Sequence, residues 1–67
     1  MEGIGPILKR AREEKNISLQ EIAETTKIRV KYLQAIEDEQ FDLLPGAVYA
    51  KGFVNTYIRY LDIGYSE

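Results

Sequence analysis

The sequence contains no cysteine and no histidine. Without cysteine, the chain has neither disulfide bonds nor thiolate metal ligands, which is typical of proteins in a reducing compartment. Without either residue, it lacks the side chains used in catalytic triads, thiol chemistry and zinc sites, so carboxylates and lysines are the remaining acids and bases. We therefore predict a protein that is not an enzyme and that uses no cofactor or metal.

Long apolar runs and a strong excess of one charge are also missing. No apolar stretch approaches the roughly 18 residues of a membrane-spanning helix, and the N-terminus lacks the pattern of a secretory signal. The net charge of −2 argues against a protein that binds nucleic acid by phosphate neutralisation alone. A chain of 67 residues forms one small domain, so a large enclosed active-site cavity is not expected.

Apolar residues at helical spacing predict three short helices in the first part of the chain. The first ends near Lys15, where Asn16 is suited to the left-handed conformation that stops a helix. Ser18 and Glu21 fit a capping box, which opens the second helix. After a break around residues 25–27, the third helix is expected to bury three residues: Tyr32, Leu33 and Ile36.

A connector precedes the fourth helix. Residues 38–46 include aspartate, proline and glycine, which end helices and form turns. Three apolar residues are expected to hold this connector against the domain: Phe41, Leu43 and Leu44. The fourth helix is predicted over about residues 47–61, with Gly64 marking its end. The predicted fold is all-α, a compact bundle of four to five short helices.

The second and third helices have the spacing of a helix-turn-helix unit. Small Ala23 allows the helices to cross closely, Ile28 closes the turn, and Leu33 seats the third helix on the core. The pattern over residues 18–37 resembles the DNA-binding modules of phage-repressor type. Lys27 stands where many such proteins have glycine, and a non-glycine residue with positive φ costs about 1 kcal/mol. The sequence therefore leaves the geometry of the turn open.

A DNA-binding function would use the start of the third helix, which enters the major groove in such modules. Four residues would face base edges: Arg29, Val30, Lys31 and Gln34. Two more, on the outer face of the first helix, would hold phosphates: Lys9 and Arg12. The alternative is that these are solvated side chains on exposed faces. Glu37, Asp38 and Glu39 crowd the far end of the third helix, where they would repel phosphates.

The predicted fourth helix carries two apolar rows. The core row is expected to anchor the helix: Ala50, Val54, Tyr57, Ile58 and Leu61. The second row, which we term the aromatic ridge, recurs at steps of four, three and four: Tyr49, Phe53, Thr56 and Tyr60. At about 100° per residue, both rows together cover roughly 200°, about twice the stripe of a helix packed on one side. The aromatic ridge is therefore a candidate docking surface for another protein.

A structural interpretation of the aromatic ridge is also open. Phe53 would then be a core residue beneath the connector, with Tyr49 as its cap. Gly52 fits both interpretations, because a glycine inside a helix costs up to about 1 kcal/mol relative to alanine. It requires a reason, such as close approach of the connector or of a partner.

The connector and the fourth helix also carry motifs of a known family. They are Phe41-Asp42-Leu43-Leu44-Pro45-Gly46, Val48-Tyr49-Ala50-Lys51-Gly52-Phe53 and Tyr57-Ile58-Arg59-Tyr60-Leu61. With the earlier segments 8–13 and 26–37, these motifs resemble the N-terminal cytoplasmic domain of the RodZ family of bacterial cell-shape proteins. The resemblance covers nearly the whole chain.

The resemblance implies a function in the cytoskeleton. In that family the helix-turn-helix domain binds the actin-like filament protein MreB, largely through two aromatic positions of the fourth helix, which match Tyr49 and Phe53. Tyr60 continues the same ridge, and Lys51 and Arg59 are expected at its rim, where charges steer encounters more than they add affinity.

The resemblance also implies a location. Family members continue through a basic linker into a single transmembrane helix, so we expect a monomeric domain excised from a longer protein and acting at the cytoplasmic face of the bacterial inner membrane. A sequence-specific DNA-binding transcriptional regulator is the alternative function. Both functions are compatible if their surfaces lie on opposite faces of the domain.

Overall fold

The computed structural model describes residues 3–61, apart from the side chain of Ala47. Over this range the chain forms four helices, α1 (Ile4–Glu14), α2 (Leu19–Thr26), α3 (Val30–Glu37) and α4 (Ala47–Leu61), with a 3-10 segment at Phe41–Leu43. No strand occurs between residues 3 and 61, so the predicted all-α fold is confirmed. The predicted role of Gly64 at the end of α4 lies outside the described residues.

Local sequence signals set the boundary between α1 and α2 as predicted. Asn16 has a φ of 56°, in the left-handed region. The Glu21 carboxylate accepts a hydrogen bond from the Ser18 backbone N–H at 3.0 Å. The Glu21 backbone N–H in turn donates to Ser18 Oγ, also at 3.0 Å, which completes the capping box.

The turn between α2 and α3 keeps its left-handed residue although that residue is lysine. Lys27 has a φ of 67° and a ψ of 16°, and its N–H donates to the Ala23 carbonyl at 2.8 Å. Thr26 Oγ1 donates to the Ile22 carbonyl at 2.7 Å and accepts from the Ile28 N–H at 3.2 Å. These hydrogen bonds offset the cost of about 1 kcal/mol for a non-glycine residue in this conformation, so the helix-turn-helix geometry is retained.

The core lies where α4 packs against α1, α2 and α3. Its buried apolar side chains come from every helix and from the connector: Leu8, Ile22, Ile28, Leu33, Ala35, Ile36, Leu44, Tyr57 and Leu61. The Cα radius of gyration is 10.9 Å, close to the roughly 11 Å expected for a compact chain of this length. Of the core residues predicted for the helix-turn-helix unit, Ile28, Leu33 and Ile36 are buried, and Ala23 is partly buried against the core.

The connector is held by one apolar side chain rather than three. Leu44 is buried, but Phe41 is 37% exposed and Leu43 is 58% exposed. Successive side chains in a 3-10 segment point about 120° apart, so a segment this short cannot turn all of its side chains towards one core. The prediction that Phe41 and Leu43 hold the connector against the domain is wrong.

A buried polar network joins α1, α3 and α4. The fully buried Glu37 carboxylate accepts hydrogen bonds from Arg12 Nε at 2.7 Å, from Arg12 Nη2 at 3.3 Å and from the Tyr57 hydroxyl. Arg12 Nη1 donates to the Ile17 carbonyl at 2.9 Å. The prediction that Arg12 lies on the outer face of α1 is wrong, because its side chain is only 14% exposed and serves as counter-ion to a buried carboxylate.

This network raises the pKa values of Arg12 and Tyr57. The hydrogen bond to Glu37 raises the pKa of the Arg12 guanidinium above its ordinary value. Burial, followed by the hydrogen bond to the Glu37 carboxylate, raises the pKa of the Tyr57 hydroxyl. Both residues therefore keep their protons well into the alkaline range, so the network is intact at neutral pH.

The acidic residues after α3, Asp38 and Glu39, both accept hydrogen bonds from groups within the domain. Glu39 has a φ of 58° and its carboxylate accepts a hydrogen bond from the Gly5 N–H at 2.9 Å, at the start of α1. Asp38 accepts from Gln34 Nε2 at 3.3 Å. The expectation that Glu37 adds an exposed charge to this cluster is wrong, since it is buried in the network.

Candidate protein-binding site

Three aromatic rings form a continuous stack across α3 and α4. The ring of Phe53 lies 6.0 Å from that of Tyr49, with an angle of 28° between the planes. Phe53 also lies 5.9 Å from the ring of Tyr32, at 25°. We call Tyr32, Phe53 and Tyr49 the aromatic row. Phe53 is its central member, because both tyrosine rings stack on it.

The aromatic ridge on α4 is partly core and partly surface. Phe53 and Tyr60 are partly buried and pack against the core, whereas Tyr49 is 55% exposed. Thr56 is partly buried, and its hydroxyl donates to the Gly52 carbonyl at 2.9 Å. Phe53 thus supports the core and the exposed Tyr49 ring together, so each interpretation of the ridge describes part of it.

The two basic residues of α4 lie at different angles around the helix axis from the aromatic ridge. Both Lys51 and Arg59 are exposed. At about 100° per residue, Arg59 lies roughly 80° around the helix axis from Tyr49, and Lys51 lies roughly 160° away. Arg59 therefore flanks the ridge, whereas Lys51 points to the opposite side of the helix.

Gly52 has open space around it. A Cβ atom added at Gly52 would meet no atom within 4 Å. Of the two reasons considered for Gly52, close approach of the connector is therefore not observed, and close approach of a partner stays open. The neighbouring Val48 is 86% exposed, so the first half of α4 presents apolar surface and bare backbone to solvent.

Tyr32 is the member of this surface that the sequence pattern did not reveal. Its spacing placed it in the buried stripe of α3, but its side chain is only partly buried and stacks on Phe53. Lys31 Nζ lies 5.3 Å from the centre of the Tyr32 ring, within the range of a cation–π interaction. The available signal was the residue type, since a tyrosine at the edge of an aliphatic stripe keeps its hydroxyl near water.

Some of the residues predicted to contact DNA are exposed, and others are held by contacts within the domain. Arg29, Val30, Lys31 and Gln34 are all exposed at or near the start of α3, and Lys9 is exposed on α1. Gln34 is hydrogen-bonded to Asp38, and Lys31 lies over Tyr32. Arg12 is held in the buried network. The basic surface is thus smaller than the sequence predicted.

Other kinds of site are missing from the described part of the chain. Between residues 3 and 61, no helix combines the length and apolarity needed to cross a bilayer. Over the same residues, no cluster of His, Cys, Asp or Glu side chains is arranged to hold a metal ion. Every buried side-chain nitrogen or oxygen in this range has a hydrogen-bond partner.

Comparison with known proteins identifies the family. A family model described as a helix-turn-helix domain matches residues 7–67. "Cytoskeleton protein RodZ" of Streptococcus pneumoniae (strain ATCC BAA-255 / R6) is 37% identical over 54 residues, which is 81% of this chain and 20% of the relative. "Uncharacterized membrane protein YmfM" of Bacillus subtilis (strain 168) is 37% identical over 41 residues, 61% of this chain and 14% of the relative.

The chain thus spans about a fifth or less of the length of these curated relatives. No solved structure gives a significant match. The family match covers most of the chain, and the RodZ relative confirms the resemblance drawn from the sequence motifs. The chain therefore belongs to the helix-turn-helix domain family and is a RodZ-like member of it.

Proposed function

We propose that this domain is a non-enzymatic cytoskeletal adaptor that binds the actin-like filament protein MreB through α4. In this proposal the full-length protein holds the domain at the cytoplasmic face of the bacterial inner membrane. The domain then couples the filament to the membrane and the cell-wall machinery, and so contributes to cell shape. Two findings support the proposal: a relative is named a cytoskeleton protein, and the α4 motifs resemble those of the RodZ family.

The exposed Tyr49 ring is the observation that carries the proposal. Tyr49 is 55% exposed, yet it is stacked on Phe53, which is also stacked on Tyr32. A ring that already packs against another side chain loses less conformational entropy on binding than a free one, and tyrosine is enriched among residues that dominate binding energy. A stacked, exposed aromatic ring on a helix that is otherwise anchored in the core is therefore suited to contact a protein partner.

The positive charge of α4 is a reason to expect an acidic contact surface on the partner. Between Ala47 and Leu61 the helix contains two basic residues, Lys51 and Arg59, and no acidic residue. The whole chain carries a net charge of −2, so α4 is a locally basic surface on an acidic protein. Of the two, Arg59 flanks the aromatic ridge, and a basic residue beside an apolar contact favours an acidic partner and increases the rate of encounter.

The test is replacement of the exposed ring. We expect Tyr49→Ala to weaken binding to purified MreB by about 30-fold or more, which corresponds to a hot-spot loss of at least about 2 kcal/mol. The helical circular dichroism signal should stay at the wild-type level, because Tyr49 is more exposed than buried. Isothermal titration calorimetry with unpolymerised MreB measures the change.

Val48→Ala is the matched control. Val48 is adjacent to Tyr49 in sequence and is 86% exposed, so the variant loses apolar surface but keeps the stacked Tyr49 ring. It should bind within about threefold of the wild type, as most contacts outside a hot spot do. Wild-type affinity in a folded Tyr49→Ala variant would refute the proposed site.

DNA binding is the second candidate function, and the exposed start of α3 with Arg29 and Lys31 supports it. Titration of the domain with a labelled duplex at two salt concentrations tests it directly. Phosphate contacts give an affinity that falls steeply as salt rises. Saturable, salt-dependent binding that Arg29→Ala weakens would support this function, and no saturable binding at low salt would exclude it for the domain.

A further inference from the structure

The aromatic row extends the candidate binding surface from α4 onto α3. Its outer members, Tyr49 and Tyr32, each stack on the ring of Phe53, at ring separations of 6.0 and 5.9 Å. Tyr49 is exposed and Tyr32 is partly exposed. A partner that covers Tyr49 and the flank of Phe53 therefore meets the Tyr32 ring as the continuation of the same apolar surface.

A positive charge marks the α3 end of the row. Lys31 is exposed, and its Nζ lies 5.3 Å from the centre of the Tyr32 ring. The one acidic residue within α3, Glu37, is buried and paired with Arg12. α4, which carries Tyr49 and Phe53, contains no acidic residue between Ala47 and Leu61. Lys31 is thus the charged side chain observed next to the aromatic row, at its α3 end.

We propose that Tyr32 and Lys31 form the α3 half of the partner-binding surface. The partner is the actin-like protein of the proposed function, on which this inference rests. Its contact surface presents an apolar depression that receives the Tyr49, Phe53 and Tyr32 rings, with a carboxylate at one edge that pairs with Lys31. Tyr32 contributes apolar contact, and Lys31 fixes the orientation of the partner along the row.

The inference changes the relation between the two candidate functions. Lys31 belongs both to the partner-binding surface and to the residues predicted to contact DNA. A partner seated on Lys31 and Tyr32 occupies the start of α3, so the two surfaces overlap rather than lie on opposite faces of the domain. A duplex that binds at α3 would therefore compete with the protein partner.

The test compares charge reversal at two exposed lysines. Lys31→Glu should weaken binding to unpolymerised MreB by about tenfold, because a like charge then faces the partner carboxylate. The loss should shrink at high salt, since exposed charges are screened. Lys9→Glu makes the same charge change on α1, outside the aromatic row, and should bind as the wild type.

Tyr32→Leu tests the ring while preserving apolar packing on Phe53. It should weaken binding by about fivefold through the loss of the aromatic contact, with thermal unfolding measured in parallel to confirm the fold. Wild-type binding by both Lys31→Glu and Tyr32→Leu, with binding lost in Tyr49→Ala, would overturn this inference and leave the proposed function standing. Wild-type binding by Tyr49→Ala as well would overturn both.

Discussion

Gly5 and Gly52 are both helical glycines, but their surroundings are opposite. A Cβ atom at Gly5 would lie 2.4 Å from the Glu37 carbonyl oxygen and 2.8 Å from that of Ile36. Both are backbone atoms, so α1 and the end of α3 would have to separate. At Gly52 the added Cβ atom would meet nothing within 4 Å. The sequence alone does not distinguish the two residues.

The same substitution should therefore have opposite effects at the two positions. Gly5→Ala should lower the free energy of unfolding by about 2 kcal/mol or more, as overpacking does. Gly52→Ala should raise it by about 0.5–1 kcal/mol, because alanine favours the helix and meets no obstacle. Urea denaturation of both variants measures the difference. A lower free energy of unfolding for Gly52→Ala than for the wild type would show that other atoms crowd this position of α4.

Tyr32 and Arg12 show which single residues the sequence could not place. The spacing of Tyr32 is correct for the buried stripe of α3, but its final exposure depends on Phe53, which lies in another helix. The outward assignment of Arg12 failed because its carboxylate partner, Glu37, is distant in sequence. Contacts between residues far apart in the sequence produce no periodic pattern in the local sequence, so spacing alone does not reveal them. Tyr49 was placed correctly because its exposure follows from its position on one helix.

At the scale of helices, the network of Arg12, Glu37 and Tyr57 fixes α4 against α1 and α3. The Glu37 carboxylate is fully buried, so its two donors define the positions in which the helices can pack. The aromatic ridge lies on the same helix as Tyr57. The network therefore sets the position from which α4 presents Tyr49.

A pH dependence follows from the raised pKa of Tyr57. An unfolded tyrosine loses its proton near pH 10, whereas the folded state keeps it. The stabilising contribution of Tyr57 is thus complete below about pH 10 and falls above it, by up to about 1.4 kcal/mol per pH unit. We expect Tyr57→Phe to be less stable by about 1–3 kcal/mol at pH 7, and the gap from the wild type to narrow above pH 10.

Guanidinium denaturation between pH 7 and 11 checks this prediction. The wild type and Tyr57→Phe share every other tyrosine, so the difference between their curves isolates Tyr57. A gap that stays constant up to pH 11 would contradict the assigned role of Tyr57 in the network.

The boundaries of the helices were largely predictable, because they depend on neighbouring residues. The capping box of Ser18 and Glu21 and the left-handed Asn16 are local signals, and both occur as predicted. Phe41 and Leu43 were not predictable in this way, since only the final direction of the 3-10 segment decides which apolar residue reaches the core. The turn at Lys27 was predictable in part. Its position follows from the sequence, whereas its geometry depends on the hydrogen bonds of the Thr26 hydroxyl.

At the scale of the whole molecule, size limits the affinity of the domain. The chain has an accessible surface of 4546 Å². An interface at the low end of specific complexes buries about 600 Å² on each partner, or roughly 13% of this surface. A contact of that size, centred on a few aromatic rings, fits an affinity in the micromolar range.

Strong attachment to a filament should therefore require many copies. We expect the isolated domain to be a monomer that binds one MreB subunit with a Kd of about 1–100 μM. Displayed at high density on lipid vesicles, the same domain should bind polymerised MreB at least about 100-fold more tightly. Co-sedimentation with filaments, compared with calorimetry on subunits at equal salt, measures both values. Nanomolar binding of the free domain to a single subunit would contradict this expectation.

The most direct test of the central claim is to map the contact surface on the ¹⁵N-labelled domain by amide chemical shifts during titration with unlabelled, unpolymerised MreB. Binding through α4 predicts that the largest shifts or line broadening occur at residues 48–53, 56 and 60, and that Lys31 and Tyr32 follow. Residues on the outer face of α1, such as Lys9, should be unaffected. Perturbations that spare α4, or no perturbation at saturating MreB, would contradict the claim.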